Sequence, residues 1–416
     1  MHVLVVTDQH PDSLGGVQVA IRLQRQALER LGHRVTIVAP ELHRPGYTVA
    51  AADREAYLDL PSRPITRDRE YGISWPGART DRALAARLAA LPPVDLVHVQ
   101  GDFWGAMIGI RAARGLRVPI VHTMHNHVDA GTRAVTPFAP VVFQALRVWR
   151  RFALGAPRGP VSRASRGAWR FLAELAAEAA VVTAPSSHFA EALRTHAVAA
   201  EVRVTPGGVD DAAIAAARAV PRSPRSRPRL VWLGRMSQEK RILEFIDAIA
   251  ESGIDADVAL HGAGLLLPRV RERIAQHGLG DRVSIPGPVP YAEALAAMRD
   301  ADALVQTSMG FETQGLTPFE AAALGTPTVF CDPNIADDVA VRPEWRVPAG
   351  TVSALAQTLR EAVADLRAGD PSGGGPSGGA NSAGLRVAEA DGERFLQSAQ
   401  SRVMLEAYAA ALAERC

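Results

Sequence analysis

Short β-branched apolar runs alternate with alanine-rich helical stretches along almost the whole chain, and that alternation leaves few folds open. The run at 2–7 is apolar through its centre, as a strand buried on both faces must be. Val17, Ala20, Ile21, Gln24, Leu28 and Leu31 then recur at helical spacing, Gly32 stops the helix, and an apolar run resumes at 35–38. Further runs at 96–99, 119–123, 181–184 and 202–204 are separated by helical stretches. Strand, helix and strand in this order predict a parallel sheet with crossover helices, the doubly wound α/β class.

A chain of 416 residues exceeds what one core carries, since single cores stop growing near ~250–300 residues. The break falls at Pro206-Gly207-Gly208-Val209-Asp210 and the Pro/Arg/Ser-rich stretch 221–228, which together read as a linker over 206–229. A second α/β series follows, with candidate strands at 230–233, 257–261, 282–285, 303–306 and 326–330. The expected organisation is a first domain over 1–205 and a second over 230–392. Residues 369–384 are Gly, Ser and Pro with almost nothing to bury and predict a flexible loop. The last helix, 393–416, can pack back on the first domain.

Hydrophobic residues at 47% and charged residues at 22% exclude a disordered chain. The start lacks a basic region, and no stretch reaches the roughly 20 uncharged apolar residues of a membrane span. Cys331 and Cys416 are the only cysteines, too few for a disulfide framework or thiolate metal site. A cytoplasmic location is the resulting expectation. Residues 1–203 hold 25 Arg against 17 acids, and the remainder holds 27 acids against 20 Arg and one Lys. The basic first half predicts an anionic contact; the acidic second half argues against nucleic acid. Lys240 is the only lysine, and an ammonium does not stand in for a guanidinium at a phosphate.

Two segments carry the chemistry. Gly234-Arg235-Met236-Ser237-Gln238-Glu239-Lys240 follows a strand directly, so Arg235 and Lys240 stand where a ligand binds in a doubly wound sheet. Two cations there suit a diphosphate. Glu312-Thr313-Gln314-Gly315-Leu316-Thr317-Pro318-Phe319-Glu320 precedes an alanine-rich helix. Amides around Gly315, Leu316 and Thr317 can face an anion at that helix start, and Glu320, one turn further in, can accept from ribose hydroxyls.

These segments resemble the family 4 glycosyltransferases, whose signature is a Gly-Arg…Lys pair followed by Glu-x7-Glu. Gly15-Gly16, Gly32-His33-Arg34-Val35, Thr123-Met124-His125, Pro206-Gly207-Gly208-Val209-Asp210 and Ala323-Leu324-Gly325-Thr326-Pro327 extend the likeness over nearly the whole chain. The resemblance implies the GT-B fold, two Rossmann-like domains facing each other across a cleft, and a retaining enzyme that moves a sugar from a UDP- or GDP-linked donor. It implies that Arg235 and Lys240 neutralise the diphosphate and that Glu320 binds the ribose. Glu312 and the backbone of Thr313, Gln314, Gly315 and Leu316 would hold the sugar and β-phosphate. Gly15 and Gly16 would let the first-domain loop approach the phosphates, and His125 would contact the reacting sugar. Many members carry Phe-Gly-Leu where this chain reads Thr313-Gln314-Gly315-Leu316, a departure that bears on the donor sugar. Such a site calls for no metal and no cofactor beyond the donor, because fixed cations and helix amides stabilise the departing diphosphate.

Asp102, after the run at 96–99, is a candidate acceptor contact, with a loop-capping acid as the alternative. His122, His125 and His127 lie close together, but no cysteine or acid cluster completes a zinc shell. Asp300-Ala301-Asp302 reads as a turn. From Arg133 to Arg170 there are eight arginines and no acid, interleaved with Phe138, Val141, Phe143, Trp149 and Phe152. That pattern suits a helix on an anionic membrane, or one docked on its own domain with Arg to water. The acceptor is accordingly a membrane glycolipid, a cell-envelope glycan or a small metabolite. A dinucleotide oxidoreductase lacks its Gly-x-Gly-x-x-Gly here, and a P-loop enzyme lacks its motif. A pyridoxal phosphorylase would need Lys240 for its Schiff base, but the Gly-Arg…Lys context fits a diphosphate better; a non-catalytic relative that binds lipid or nucleotide is the remaining alternative, and the complete donor set speaks against it.

Overall fold

The computed structural model of the chain describes residues 1–368 and 385–414; the expected loop at 369–384 lies outside the described residues. The chain divides into two compact units, Met1–Gly208 with Gln397–Cys416, and Val209–Leu396.

The first unit holds strands β1 (His2–Thr7), β2 (Arg34–Pro40), β3 (Tyr57–Leu60), β4 (Arg63–Pro64), β5 (Gly72–Ile73), β6 (Leu96–Gln100), β7 (Ile120–Thr123), β8 (Val181–Ala184) and β9 (Arg203–Val204). Seven form one parallel sheet in the order β3-β2-β1-β6-β7-β8-β9, and β4 and β5 pair separately as an antiparallel ribbon. All six residues of β1 are buried because both sheet faces are covered. Leu4 and Val6 join on one side a core with Met107 and Ile110 of the helix Trp104–Leu116, which packs on β1. Val3 and Val5 face the other way, against Ile21 and Leu28 of Gly16–Arg30 and Met404, Ala407, Tyr408 and Ala411 of Gln397–Ala413. The period-2 alternation of a strand thus assigns its residues to two cores.

The second unit holds β10 (Arg229–Leu233), β11 (Asp257–His261), β12 (Val283–Gly287), β13 (Ala303–Gln306), β14 (Thr328–Phe330) and β15 (Glu344–Arg346), in the order β12-β11-β10-β13-β14-β15. Leu230 and Trp232 pack toward Phe245 and Ile246 of the helix Ile242–Ser252, and Val231 packs toward Phe319 and Leu295 on the opposite face. Strand order reverses at β10, whose neighbours are β11 and β13; ligands bind at such a switch point.

Residues 206–229 are not a linker. The chain passes between units at Gly208–Val209, and Asp210 caps a helix, Asp211–Ala219, by accepting from the Ala212 and Ala213 amides at 2.9 and 3.0 Å. Ile214 of that helix is 1% exposed in the second unit's core. The Pro-rich stretch that follows is tied down by charge: Arg225 reaches Asp300 at 2.6 Å and Arg229 reaches it at 2.7 Å, while Asp302 accepts from the Arg229 amide at 2.8 Å. The Asp-Ala-Asp segment therefore ends the helix Tyr291–Asp300 and anchors an incoming strand.

Candidate active site

In the second unit, β10 runs into the loop carrying Arg235, a short 3-10 turn Gln238–Lys240 and the helix Ile242–Ser252. From the adjacent β13 the chain passes through 307–314 to Gly315, which precedes the helix Leu316–Ala323. Gly315 has φ 71, a left-handed conformation that glycine takes without a Cβ clash. Lys240 and Glu312 form an ion pair, and Ser308 Oγ donates to the same Glu312 oxygen at 3.0 Å. The Lys240 backbone is fixed as well: Trp232 Nε1 donates to Thr307 Oγ1 at 2.9 Å, and that hydroxyl bonds the Lys240 carbonyl. Lys240, Glu312, Gly315 and Thr317 line one cavity.

Arg235 is exposed, with no acid partner among the described residues. Thr313 is half-buried and Gln314 buried. Glu320 is half-buried and accepts from the Tyr291 hydroxyl at 3.0 Å. Burial raises its carboxyl to about 7, against the opposing pull of that hydrogen bond. The structure therefore brings Lys240, Glu312 and the amides at Gly315–Thr317 to one place, with Glu320 one turn along the same helix.

Three features of this neighbourhood escaped the sequence reading. Gly262 and Gly264 press on the Arg235 loop: a Cβ on Gly262 would run into the Gly234 carbonyl, and one on Gly264 into the Met236 carbonyl. Gly234 and Met236 donate their amides to His261 and Ala263 at 3.1 and 2.9 Å. The Gly262-Ala263-Gly264 run at the end of β11 was the available signal. Tyr291 gave none, because its pairing with Glu320 spans 29 positions.

In the first unit, Gly15 and Gly16 are exposed where the helix Gly16–Arg30 begins, and Gly15 has φ 152. His125 follows β7; its Nε2 bonds Gln100 Oε1 at 2.9 Å. Burial lowers its pKa to about 4, so at neutral pH the ring is uncharged. Asp102 corrects an expectation, being 0% exposed. Its carboxylate accepts from the His125 amide at 3.0 Å and from the Asn126 amide and side chain at 2.8 Å each. Burial resists its ionisation, but His122, His125 and Asn126 outweigh burial and hold its pKa below the usual range. Asp102 braces the loop that carries His125 and has no surface for an acceptor. Asp8, which accepts from the Asp102 and Gly105 amides at 2.7 Å each, is pushed up to about 7 by burial and then by the Asp102 charge.

The three histidines separate. His122 is buried with Nε2 2.8 Å from the Gly101 carbonyl, while His127 accepts from the Ala130 amide at 3.3 Å and lies edge-on to Trp169. The Arg133–Arg170 segment divides too. Arg147 and Arg170 turn to Glu174 at 3.1 and 3.2 Å, and Arg150, 1% exposed, lies 3.6 Å from both Glu174 and Glu178. These acids lie just beyond the acid-free window. The outer face of the helix Ala139–Leu154 remains bare: Val141, Val148 and Phe152 are 66%, 43% and 87% exposed, and Phe138 before them is 70% exposed.

With this geometry in place, comparison with known proteins is decisive. The model described as Glycosyltransferase Family 4 matches residues 14–213, and that described as Glycosyl transferases group 1 matches 214–368. The chain belongs to glycosyltransferase family 4. It is an enzyme that transfers a sugar from a nucleotide-sugar donor, and its fold is GT-B. It is 28% identical to the 2-deoxystreptamine N-acetyl-D-glucosaminyltransferase of Streptomyces fradiae over 85% of this chain and 84% of that one. It is 24% identical to the alpha-monoglucosyldiacylglycerol synthase of Streptococcus pneumoniae over 79% and 70%. Among solved structures, Anabaena HepE in complex with UDP matches at a TM-score of 0.64 and 16% identity, over 98% of this chain and all of that chain (100%). Among the described residues no helix is long and apolar enough to cross a membrane.

Proposed function

We propose that this family 4 glycosyltransferase holds a nucleoside diphosphate sugar through Arg235, Lys240 and the amides at Gly315–Thr317, with Glu320 on the ribose. The carrying observation is that its only lysine meets Glu312 beside a glycine-led helix start. Donor phosphates take over the Lys240 ammonium, and Glu312, relieved of it, turns to the sugar hydroxyls. Two fixed cations and helix-terminal amides stabilise the diphosphate as its charge grows on departure, so the step as proposed calls for no metal. The family resemblance supports a role for Gly15 and Gly16 toward the phosphates and for the neutral His125 ring toward the sugar. Departure and attack occur on one face, which retains the anomeric configuration.

The acceptor we propose is a lipid at an anionic membrane surface. Phe138, Val141, Val148 and Phe152 form an exposed apolar stripe flanked by exposed Arg133 and Arg151, the composition of an interfacial helix. The lipid-directed name of the pneumococcal relative supports this reading. A second reading, a small aminocyclitol acceptor, is favoured by the Streptomyces fradiae relative.

Thermal stabilisation by UDP, GDP and ADP tests the donor site. One nucleotide is expected to raise the melting temperature, and Lys240→Ala and Glu320→Ala are each expected to abolish the rise; a rise that survives both removes the site as proposed. Nucleotide release with diacylglycerol vesicles or with 2-deoxystreptamine as acceptor separates the two acceptor readings. Phe138→Ser with Phe152→Ser is expected to abolish sedimentation with phosphatidylglycerol vesicles while leaving nucleotide binding intact.

A further inference from the structure

We infer that Tyr408, on the C-terminal helix, is a positioning residue for His125: through His98 and Gln100 it fixes which nitrogen of the His125 ring carries the proton. The consequence for turnover rests on the reading of His125 as a sugar contact; the proton placement itself does not.

The connection is a chain of hydrogen bonds inside the first unit. Tyr408 is 0% exposed, and its hydroxyl lies 2.7 Å from His98 Nδ1. Its ring meets the imidazole edge-on, with centroids 5.4 Å apart. Among the described residues, His98 is the only hydrogen-bond partner of that hydroxyl. A buried phenol that only accepted would leave its own proton unpaired, so Tyr408 donates and His98 Nδ1 accepts. Burial drives the His98 pKa well down, and the ring is neutral. Its one proton then sits on Nε2, which donates to Thr123 Oγ1 at 2.7 Å; the Thr123 hydroxyl passes on to Thr183 Oγ1 at 2.6 Å.

That tautomer decides the orientation of Gln100. The near end of its side-chain amide lies 3.5 Å from His98 Nδ1. An oxygen there would face a nitrogen lone pair, whereas the NH2 end faces it favourably and also donates to Gln24 Oε1. Gln100 Oε1 is thereby aimed at His125 Nε2, 2.9 Å away. An oxygen that can only accept requires Nε2–H on His125, since the proton on one imidazole nitrogen is set by the bond the other atoms impose. Nδ1 is left unprotonated, able to accept from a sugar hydroxyl. Removing the Tyr408 hydroxyl frees the whole chain to invert: Thr123 can donate to His98 Nε2, the amide of Gln100 can flip, and His125 can move its proton to Nδ1.

The test is 15N spectroscopy of the histidine side chains in the full-length protein, with His125→Gln for assignment. His125 is expected to carry its proton on Nε2 in the parent and to become a mixture of both tautomers in Tyr408→Phe, which keeps the ring packing. Unchanged His125 signals in Tyr408→Phe, or a parent His125 protonated on Nδ1, overturn the inference. Should that variant not fold, uniform 3-fluorotyrosine, a stronger donor of the same shape, is expected to shift the His98 and His125 signals together, and no movement of either overturns it. With UDP-glucose as the donor, kcat for nucleotide release is expected to fall about fivefold in Tyr408→Phe, the worth of one neutral hydrogen bond, with KM for the donor unchanged. A changed tautomer with unchanged kcat would leave the relay standing and remove His125 as a sugar contact.

Discussion

Glu320, the residue proposed to meet the ribose, also titrates, and the two roles have opposite requirements. Its carboxyl is raised from 4.5 to about 7 by burial, so between those values the folded protein holds a proton that the unfolded chain has released. For a carboxyl shifted upward, the ligand-free fold loses stability as pH rises through that window. Glu320→Gln is expected to melt above the parent at pH 8, with the gap closing toward pH 5. Asp8 titrates in the same range, so the difference between variant and parent isolates Glu320; a gap that does not depend on pH would show that its charge is not held against burial. Sequence spacing alone marked Lys240, Glu312 and Glu320 as a site, because each sits at a strand end or helix start whose position follows from the pattern. It left Asp102 open between an acceptor contact and a loop-capping acid, since whether an acid after a strand faces solvent or the amides of a neighbouring loop depends on residues 20 or more positions away, His125 and Asn126 among them.

The helix Ala139–Leu154 shows at the level of an element why a charge run is ambiguous. The run leaves open a helix on a membrane or one docked on its own domain with Arg to water; in the structure one face is docked through Arg147 and Arg150 onto acids and the other is bare. Arg150→Ala is expected to destabilise the protein by about 3 kcal/mol, the low end for removing one partner of a buried ion pair, because Arg114, Arg147 and Arg170 still reach the two acids. Chemical denaturation checks this, and a change within ~0.5 kcal/mol, as at a surface site, would mean that the side chain does not hold that position. Gly262→Ala acts on the loop after β11. Gly262 has φ 135, and the added Cβ meets the Gly234 carbonyl, so about 1–3 kcal/mol of strain is expected to displace Arg235. Weaker nucleotide binding with little loss of fold is the outcome that calorimetric titration should show. Elements that the sequence left unmarked share a cause. β3 is four residues long, and β15 is an edge strand whose Glu-Trp-Arg sequence carries charge as edges do. Neither has a period long enough to stand out.

At the scale of the whole molecule, each unit has its own pair of cores, and the last helix belongs to the first. Met404, Ala407, Tyr408 and Ala411 cover Val3, Val5, Val121 and Val181 on one face of the first sheet. Truncation after Leu396 is therefore expected to unfold the first unit while the second still binds nucleotide. Calorimetry of the full chain should resolve two transitions, with nucleotide raising only the one that survives truncation; a single transition shifted as a whole would instead show that the two units melt together. The amino-acid sequence by itself determined the doubly wound class, the two series of strands and the family, and it marked the residues proposed for the donor. All of these rest on short-range periodicity or on short motifs, each local in the sequence. Only the tertiary structure decided where the last helix packs, that 206–229 divides at Gly208–Val209 instead of forming a linker, and that Asp102 and Arg150 are buried. It also decided that Tyr408 meets His98, 310 positions away. Burial and hydrogen bonding of a polar side chain depend on what the fold brings against it, and no local pattern of residues encodes that.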